Sequence, residues 1–159
     1  QEALQAFWFV HLIVHIETDG LAESPGRFDQ YMYPYLAADL EGGRLTKDQA
    51  QELLDCLWVK FGEVIKLADV PPATKYFGGV SMSQNLILGG VDGQGRDATN
   101  ELSYMCLVAE SHVRLDQPAL SIRIHQGTPE EFLRWAAAVI RLGDGKPAVY
   151  NDEAIIPAF

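Results

Sequence analysis

The sequence predicts an α/β fold whose first half is helical. Apolar residues recur at helical spacing over residues 2–65, whereas residues 86–88 and 120–124 have the composition of short strands. In the second half of the chain these strands alternate with helical segments, an order that favours a layered or barrel arrangement over an antiparallel sheet. The 159 residues suffice for one core, but the strands are too few to complete a sheet.

Residues 2–17 form the first predicted helix, whose pattern is apolar nearly all round, so we expect it to be buried. Its apolar run at 4–16 is shorter than the ~20 residues of a membrane span, and it lacks the features of a signal peptide. Residues 18–30 are rich in turn formers, with breakers at 19–20 and 24–26. A second helix is predicted to begin near Phe28 and to end at residues 41–46.

Thr46 opens the third predicted helix, because Gln49 stands three residues later and completes a capping box. The apolar stripe of this helix consists of Leu53, Leu54, Leu57, Trp58, Phe61 and Ile65. A strand at 86–88 follows, and glycines at 89, 90, 93 and 95 then form a long turn. Asn100 or Thr99 is predicted to cap a helix that runs to about Val113.

The remaining elements are a strand, a helix and a strand. Residues 120–124 alternate between apolar and polar side chains, as in a half-buried strand. Thr128 is predicted as the N-cap of the next helix and Pro129 as its first residue, with two glutamates in the first turn and a glycine at the end. Residues 147–150 predict a short final strand.

The charge balance of the chain is acidic. Twelve basic and 22 acidic side chains give a formal net charge of −10 and a pI near 4.7. No cluster of Lys and Arg offsets this charge, so we exclude nucleic acid as a partner, and we predict no membrane partner. Cys56 and Cys106 lie in apolar helical patterns without metal-ligand spacing, so we expect reduced core thiols of a cytoplasmic protein.

The glycine-rich segment 89–97 resembles a phosphate-binding loop only in part. Glycines let backbone amides approach an anion, but the Walker lysine and the third glycine of the dinucleotide fingerprint are missing. A tight turn between a strand and a helix is the better interpretation.

His11 and His15 stand four residues apart on the first helix, a spacing that can hold zinc. No acid lies between them and their surroundings are apolar, so we expect core histidines and predict no metal. A zinc hydrolase built on this pair is the third-ranked hypothesis.

Polar residues near the last two strands are candidates for a site. Arg123 and His125 share one face of the 120–124 strand, opposite its apolar residues. A buried arginine needs an acid partner, which Asp29, Asp152 or Glu153 would supply, and the pattern leaves a structural ion pair and a substrate contact equally open. Residues 151–153 follow a short strand, where site residues of α/β folds commonly lie, although such residues also form plain turns.

Three collinear stretches share the pattern of one family. They are IETDGLAESPGRFDQYMYPYLAADLEGGRLTKDQAQELLDCLWVKF, NLILGGVDGQGRDATNELSYMCLVAESHVRLDQPALSIRIH and PAVYNDEAIIPAF. Together they resemble the central part of glycyl radical enzymes, the pyruvate formate-lyase-like superfamily, and the segment SPGRFDQYMYP is the most specific. The dehydratase and lyase branch, with glycerol and diol dehydratases and choline trimethylamine-lyase, is the most similar. We therefore expect residues 1–159 to be an internal part of such a domain.

The resemblance implies that the chain is a helix-rich segment of a ten-stranded α/β barrel that encloses two loops. One loop carries a catalytic cysteine in a Gly-Cys-Val-Glu motif, and the other a glycine on which a radical S-adenosylmethionine activating enzyme installs a radical. The cysteine then abstracts hydrogen from a small organic substrate, and water, an amine or another group leaves. Neither loop lies in this sequence, and Cys56 and Cys106 are outside any such motif. The polypeptide alone is therefore predicted to be inert, with no catalytic residue and no bound cofactor.

One departure from the family pattern concerns the substrate. Dehydratases typically carry Asn-Gly-His-Ser where this chain has Asp19-Gly20-Leu21-Ala22, and the His-Ser pair contacts substrate hydroxyls. Leu21 and Ala22 lack such groups, so a glycerol dehydratase is not expected and a more apolar substrate, such as an arylacetate, becomes plausible. Glu23 adds a charge where an aromatic residue is common. The pocket candidates are Leu21, Ala22, Glu23, Arg123, His125, Asn151, Asp152 and Glu153.

The residues that follow the pocket candidates are expected to be structural. The Ser-Pro-Gly turn at residues 24–26 forms a corner that leads into the second helix. Arg27 and Asp29 are predicted to hold this corner in place by pairing with charges elsewhere. The tyrosines are expected to pack beneath it and to need partners for their hydroxyl groups. The predicted structural residues are Ser24, Pro25, Gly26, Arg27, Asp29, Tyr31 and Tyr33.

Two alternatives remain beside the glycyl radical lyase. One is a formate acetyltransferase-type enzyme that cleaves C–C bonds, and the other is a non-catalytic binding domain derived from the same fold. For the lyase, the expected partners are the substrate, the activating enzyme, the remainder of the barrel and further copies in a homo-oligomer, because a truncated barrel would expose apolar strand edges. Its expected setting is anaerobic metabolism.

Overall fold

The computed structural model of this protein describes residues 1–18, 22–65 and 78–158. The elements in chain order are α1 (Glu2–Thr18), α2 (Phe28–Glu41), α3 (Lys47–Glu63), β1 (Asn85–Gly89), α4 (Glu101–Val113), β2 (Ala119–Ile124), α5 (Glu130–Ile140), β3 (Ala148–Asn151), α6 (Asp152–Ile155) and a 3₁₀ turn (Ile156–Ala158). The three strands predicted from the sequence are thus confirmed.

The strands form one parallel sheet in the order β1-β2-β3. Asn85 of β1 lies opposite Ala119 of β2, and Ser121 of β2 lies opposite Ala148 of β3. The parallel order confirms the inference from alternating strands and helices. Helices α4 and α5 are the crossovers that a parallel sheet needs.

Residues 22–26 run parallel to the free edge of β1. Bridges join Ala22 to Ser83 and Gly26 to Leu86. Gly26 has a φ of +68°, which glycine adopts without strain, and its carbonyl accepts from the Phe28 amide at 2.8 Å where α2 begins. The Ser-Pro-Gly turn therefore ends a strand-like segment and starts a helix.

Capping explains where two of the helices begin. Thr46 accepts from the Gln49 amide at 3.2 Å while the Gln49 side chain accepts from the Thr46 amide at 2.9 Å, which confirms the predicted capping box. Asn100 and Ser103 form the same reciprocal pair at the start of α4. Thr128 is not an N-cap as predicted, because its hydroxyl instead accepts from the His125 amide at 2.8 Å.

The core lies between the sheet and helices α2 to α5. Its largest fully buried apolar side chains are Phe28, Trp58, Phe61, Leu86, Leu88, Leu107, Leu120, Ile122 and Phe132. The apolar stripe predicted for α3 packs here through Leu54, Leu57, Trp58 and Phe61. Leu53 is only half-buried, and Ile65 lies beyond the helix and is exposed. Cys106 is buried as expected, but the same expectation for Cys56 is wrong, because Cys56 lies on the solvent side of α3.

The prediction that the first helix is buried is wrong for most of helix α1. Only His11 and His15 of this helix are buried, while Phe9, Val10, Ile13 and Ile16 are more than half exposed. The all-round apolar pattern predicted burial on every side. In the described part of the chain only one face of α1 has elements to pack against, so the remaining apolar side chains face solvent.

Candidate functional site

Arg27 and Asp29 fasten the corner before α2 to the end of β1. Arg27 donates to the carbonyls of Gly89 at 2.7 Å and Val91 at 2.9 Å. Asp29 Oδ2 accepts from the Gly89 amide at 2.7 Å and from the Ser103 hydroxyl at 2.6 Å. The prediction that both residues pair with charged groups is wrong, because their partners are neutral. A guanidinium and a carboxylate satisfy the backbone groups that a strand end leaves unpaired.

The carboxyl group of Asp29 is fully buried. Burial raises its pKa, and the hydrogen bonds from Ser103 and Gly89 oppose that rise. Tyr31, at the surface of the same corner, donates its hydroxyl to the Pro25 carbonyl at 3.1 Å, so it has the predicted partner.

The carboxyl ends of the strands carry a second group of polar residues. Arg123 Nε donates to Asp152 Oδ1 at 2.6 Å, and Asp152 Oδ2 accepts from the Val91 amide at 2.8 Å. Asp152 is 2% exposed, so this ion pair is largely closed to water. Of the three acids that the sequence offered for Arg123, the structure selects Asp152.

His125 is held at both ring nitrogens. The Gly127 amide donates to Nδ1 at 3.1 Å, so Nδ1 carries no proton and Nε2–H donates to Asp97 Oδ1 at 3.0 Å. Thr99 also donates to that oxygen, at 3.0 Å. The imidazole therefore ties the turn after β2 to the turn after β1, and neither nitrogen is free to act as a base.

Residues at the end of β3 are also engaged. Asn151 accepts from the Glu153 amide at 3.0 Å, as in a plain turn, and Glu153 accepts from the Gln126 amide at 2.7 Å. An open depression of about 610 Å³ lies beside these residues, with Asp97, His125 and Asp152 in its wall. The polar side chains in its wall are already hydrogen-bonded within the protein. Their role here is therefore to hold the neighbouring turns together.

The predicted pocket residues fall into two separate places. The structure brings Arg123, His125, Asn151, Asp152 and Glu153 together at the carboxyl end of the sheet. Ala22 and Glu23 lie at the other end, where the Glu23 amide donates to the Ser83 carbonyl at 3.1 Å. Six residues separate Ser83 from the end of β1, which is roughly 20 Å at 3.3 Å per residue. Leu21 is outside the described residues.

A buried pair of histidines lies near Glu23. His11 Nε2 is 2.9 Å from Gln84 Oε1, and His15 Nε2 is 3.1 Å from His11 Nε2. Gln84 is fully buried. Burial lowers the pKa of both histidines. For His11 the hydrogen bond with Gln84 and the Glu23 carboxylate oppose this shift. For His15 the charge of His11 lowers the pKa further, and the Glu23 carboxylate opposes it. Sequence reasoning missed Gln84, because a glutamine beside an apolar run looks like any strand-edge residue.

Acidification is expected to destabilise the protein through this pair. The unfolded chain takes up protons near the ordinary pKa of 6.5, whereas the folded pair resists them. The contribution is therefore complete above pH 6.5 and is lost as the pH falls below it. Denaturant midpoints measured at about pH 7.5 and about pH 5.5 should differ less in the His11→Gln, His15→Gln double variant than in the parent. Equal pH dependence in both proteins would contradict this assignment.

Within residues 1–18, 22–65 and 78–158, no three His, Cys, Asp or Glu side chains are grouped so as to hold a metal ion. In the same residues no helix is long and apolar enough to cross a membrane.

Comparison with known proteins places the whole sequence within one family pattern. Residues 1–159 match the family model described as pyruvate formate lyase-like. Isethionate sulfite-lyase of Oleidesulfovibrio alaskensis is 38% identical over 159 residues, which are 99% of this chain and 19% of that protein.

Two solved structures give the same result. A glycerol dehydratase from Clostridium butyricum is 54% identical with a TM-score of 0.90, and a protein of 1,2-propanediol dehydration in Roseburia inulinivorans is 53% identical with a TM-score of 0.91. Each match covers 99% of this chain and 20% of the other. The chain thus spans about one fifth of the length of the relatives that it matches.

Proposed function

The chain belongs to the pyruvate formate lyase-like family, and on this basis we propose that it is part of the barrel wall of a glycyl radical lyase. The observation that carries the proposal is the match of all 159 residues to the family model, together with identities above 50% to two solved structures of the dehydratase branch. The whole protein would eliminate water or another group from a small organic substrate.

In this proposal residues 1–159 supply framework and part of the pocket. The corner at Arg27 and Asp29 fixes residues 22–26 against β1, and Ala22 and Glu23 face the substrate. The group around Arg123 and His125 then has a structural role, because its polar atoms are already paired. The cysteine and the radical glycine would come from other parts of the whole protein, with an S-adenosylmethionine-dependent activating enzyme as partner.

Surfaces of this chain support the remainder of the barrel as a further partner. The outer face of α1 exposes five large apolar side chains, and all four residues of β3 are exposed at the edge of the sheet. Exposed apolar patches and unpaired strand edges are commonly covered by other parts of a protein or by a partner. We also place the protein in the cytoplasm of an anaerobic cell and expect a homo-oligomer.

Two features of the chain bear on the substrate of the whole protein. Similarity to diol and glycerol dehydratases favours a hydroxylated substrate, whereas Leu21 and Ala22 favour an apolar one such as an arylacetate. A substrate that carries a hydroxyl beside an apolar group, such as propane-1,2-diol, meets both conditions.

Activation of the whole protein tests the proposed function. After anaerobic incubation with its activating enzyme and S-adenosylmethionine, the protein should show the electron paramagnetic resonance signal of a glycyl radical. It should then dehydrate propane-1,2-diol faster than glycerol, or decarboxylate an arylacetate. The 159-residue chain alone should do neither. Turnover by that chain, or no radical in the whole protein, would overturn the proposal.

A further inference from the structure

An open groove of about 540 Å³ lies between helices α4 and α5. Its lining residues are Thr99, Asn100, Glu101, Tyr104, Glu131 and Trp135. On α5 the side chains of Phe132, Ala136 and Val139 are buried against the core, whereas Trp135 is 42% exposed. Both helices are crossovers of the parallel sheet, and in an α/β barrel such helices form the outer layer. The groove therefore opens away from the interior of the barrel.

Two aromatic rings form the apolar part of this groove. The Tyr104 ring is held edge-on against the buried Phe132 ring, with centroids 5.5 Å apart. The Trp135 ring is exposed at the surface, although tryptophan is highly buried on average. Tyrosine and tryptophan are enriched where proteins bind one another and contribute much of the binding energy there. The two rings thus make this groove a candidate interaction surface.

The rim of the groove is acidic. Glu101 already pairs with Lys47 at 2.5 Å. Among the residues that the structure describes, Glu131 forms no ion pair, and it lies one helical turn before Trp135, on the same face of α5. Burial raises the pKa of Tyr104, and nearby carboxylates, that of Glu131 first, raise it further. Glu131 is therefore a free carboxylate beside both rings.

We propose that this groove binds an arginine side chain that a protein partner presents on a basic surface. A guanidinium is planar, so it stacks on an aromatic face and also pairs with a carboxylate through two N–H groups. Trp135 and Tyr104 supply the rings, and Glu131 supplies the carboxylate. The net charge of −10 favours a basic partner over an acidic one. A small ammonium ion would stay largely hydrated in an open groove, which favours an arginine carried by a protein.

Model peptides test this proposal on the whole, unactivated protein. The probe is acetyl-Gly-Arg-Gly amide, and it is compared by ligand-observed NMR with its lysine and citrulline counterparts, of which citrulline keeps the shape without the charge. We expect the arginine peptide to bind most tightly and the citrulline peptide not measurably. Glu131→Gln and Trp135→Leu should each weaken the arginine peptide about threefold or more. Trp135→Phe keeps an aromatic face and should retain most of the affinity.

The matched control is Glu41→Gln, which removes the same charge from an exposed glutamate at the end of α2 and should leave the affinity unchanged. Equal weakening in Glu41→Gln and Glu131→Gln would show a response to overall charge alone and would overturn the inference. Unchanged affinity in Trp135→Leu, equally tight binding of tetramethylammonium, or no saturable binding would also overturn it. Because the measurement needs neither substrate nor radical, none of these outcomes bears on the proposed function.

Discussion

Replacing Glu110 by alanine is expected to lower the free energy of unfolding by about 3–5 kcal/mol. Glu110 is 2% exposed and lies 2.6 Å from the Lys146 ammonium, while Trp58 donates to its other oxygen at 3.0 Å. Lys146 is itself only 12% exposed, and alanine would remove its buried carboxylate partner, leaving the ammonium with the carbonyls of Leu115 and Pro118. The Trp58 indole N–H would lose its acceptor. Removing one partner of a buried ion pair costs more than the pair contributes, because the other charge stays desolvated.

Denaturant unfolding followed by tryptophan fluorescence measures this effect, since Trp58 is in the core. The matched control is Glu130→Ala, which breaks an ion pair with Arg134 whose side chains are 77% and 76% exposed. That change should cost less than about 1 kcal/mol. Similar small losses in both variants would mean that the buried pair contributes no more than a surface one.

Gly90→Ala is expected to destabilise the protein by about 3 kcal/mol, from backbone strain and overlap together. Gly90 has a φ of +78°, in the left-handed region. A Cβ atom there would lie 2.7 Å from Arg123 Cβ and 2.8 Å from Asp152 Oδ2. The methyl group would thus separate the two members of the ion pair at the end of the sheet.

Gly93→Ala is the control for this prediction, because Gly93 lies in the same turn with nothing within 4 Å of the added Cβ and without a positive φ. Its midpoint of unfolding should stay close to that of the parent. If the two variants unfolded alike, the close contact at Gly90 would not constrain the fold.

Much of the fold could be predicted because it depends on local rules. Thr46 with Gln49 specifies a helix start through two hydrogen bonds within four residues, and the apolar run after Asn85 specifies a buried strand. Pairs distant in sequence could not be predicted in the same way. The sequence offered three acids to Arg123, and the choice of Asp152 depends on β3 lying next to β2.

The candidate site shows the same division. Polar residues after the last strands looked like a site, yet the structure uses their hydrogen bonds to join neighbouring turns. The corner of Arg27 and Asp29 was expected to need charged partners, because side chains of opposite charge are the simplest match. Apart from the Ser103 hydroxyl, the partners are backbone groups of residues 89 and 91, which no sequence pattern reveals because every residue has such groups.

The sequence by itself determined the family pattern, the order of the elements and most of their starting points, since each of these depends on residue type and short-range spacing. Only the tertiary structure decided that His11 is hydrogen-bonded to Gln84 and to His15, that Ala22 lies far from Arg123, and that one face of α1 stays exposed. The physical reason is that proton positions, distances and burial depend on which surfaces meet. Which surfaces meet depends in turn on contacts between residues that are as much as 74 positions apart, as Asp29 and Ser103 are.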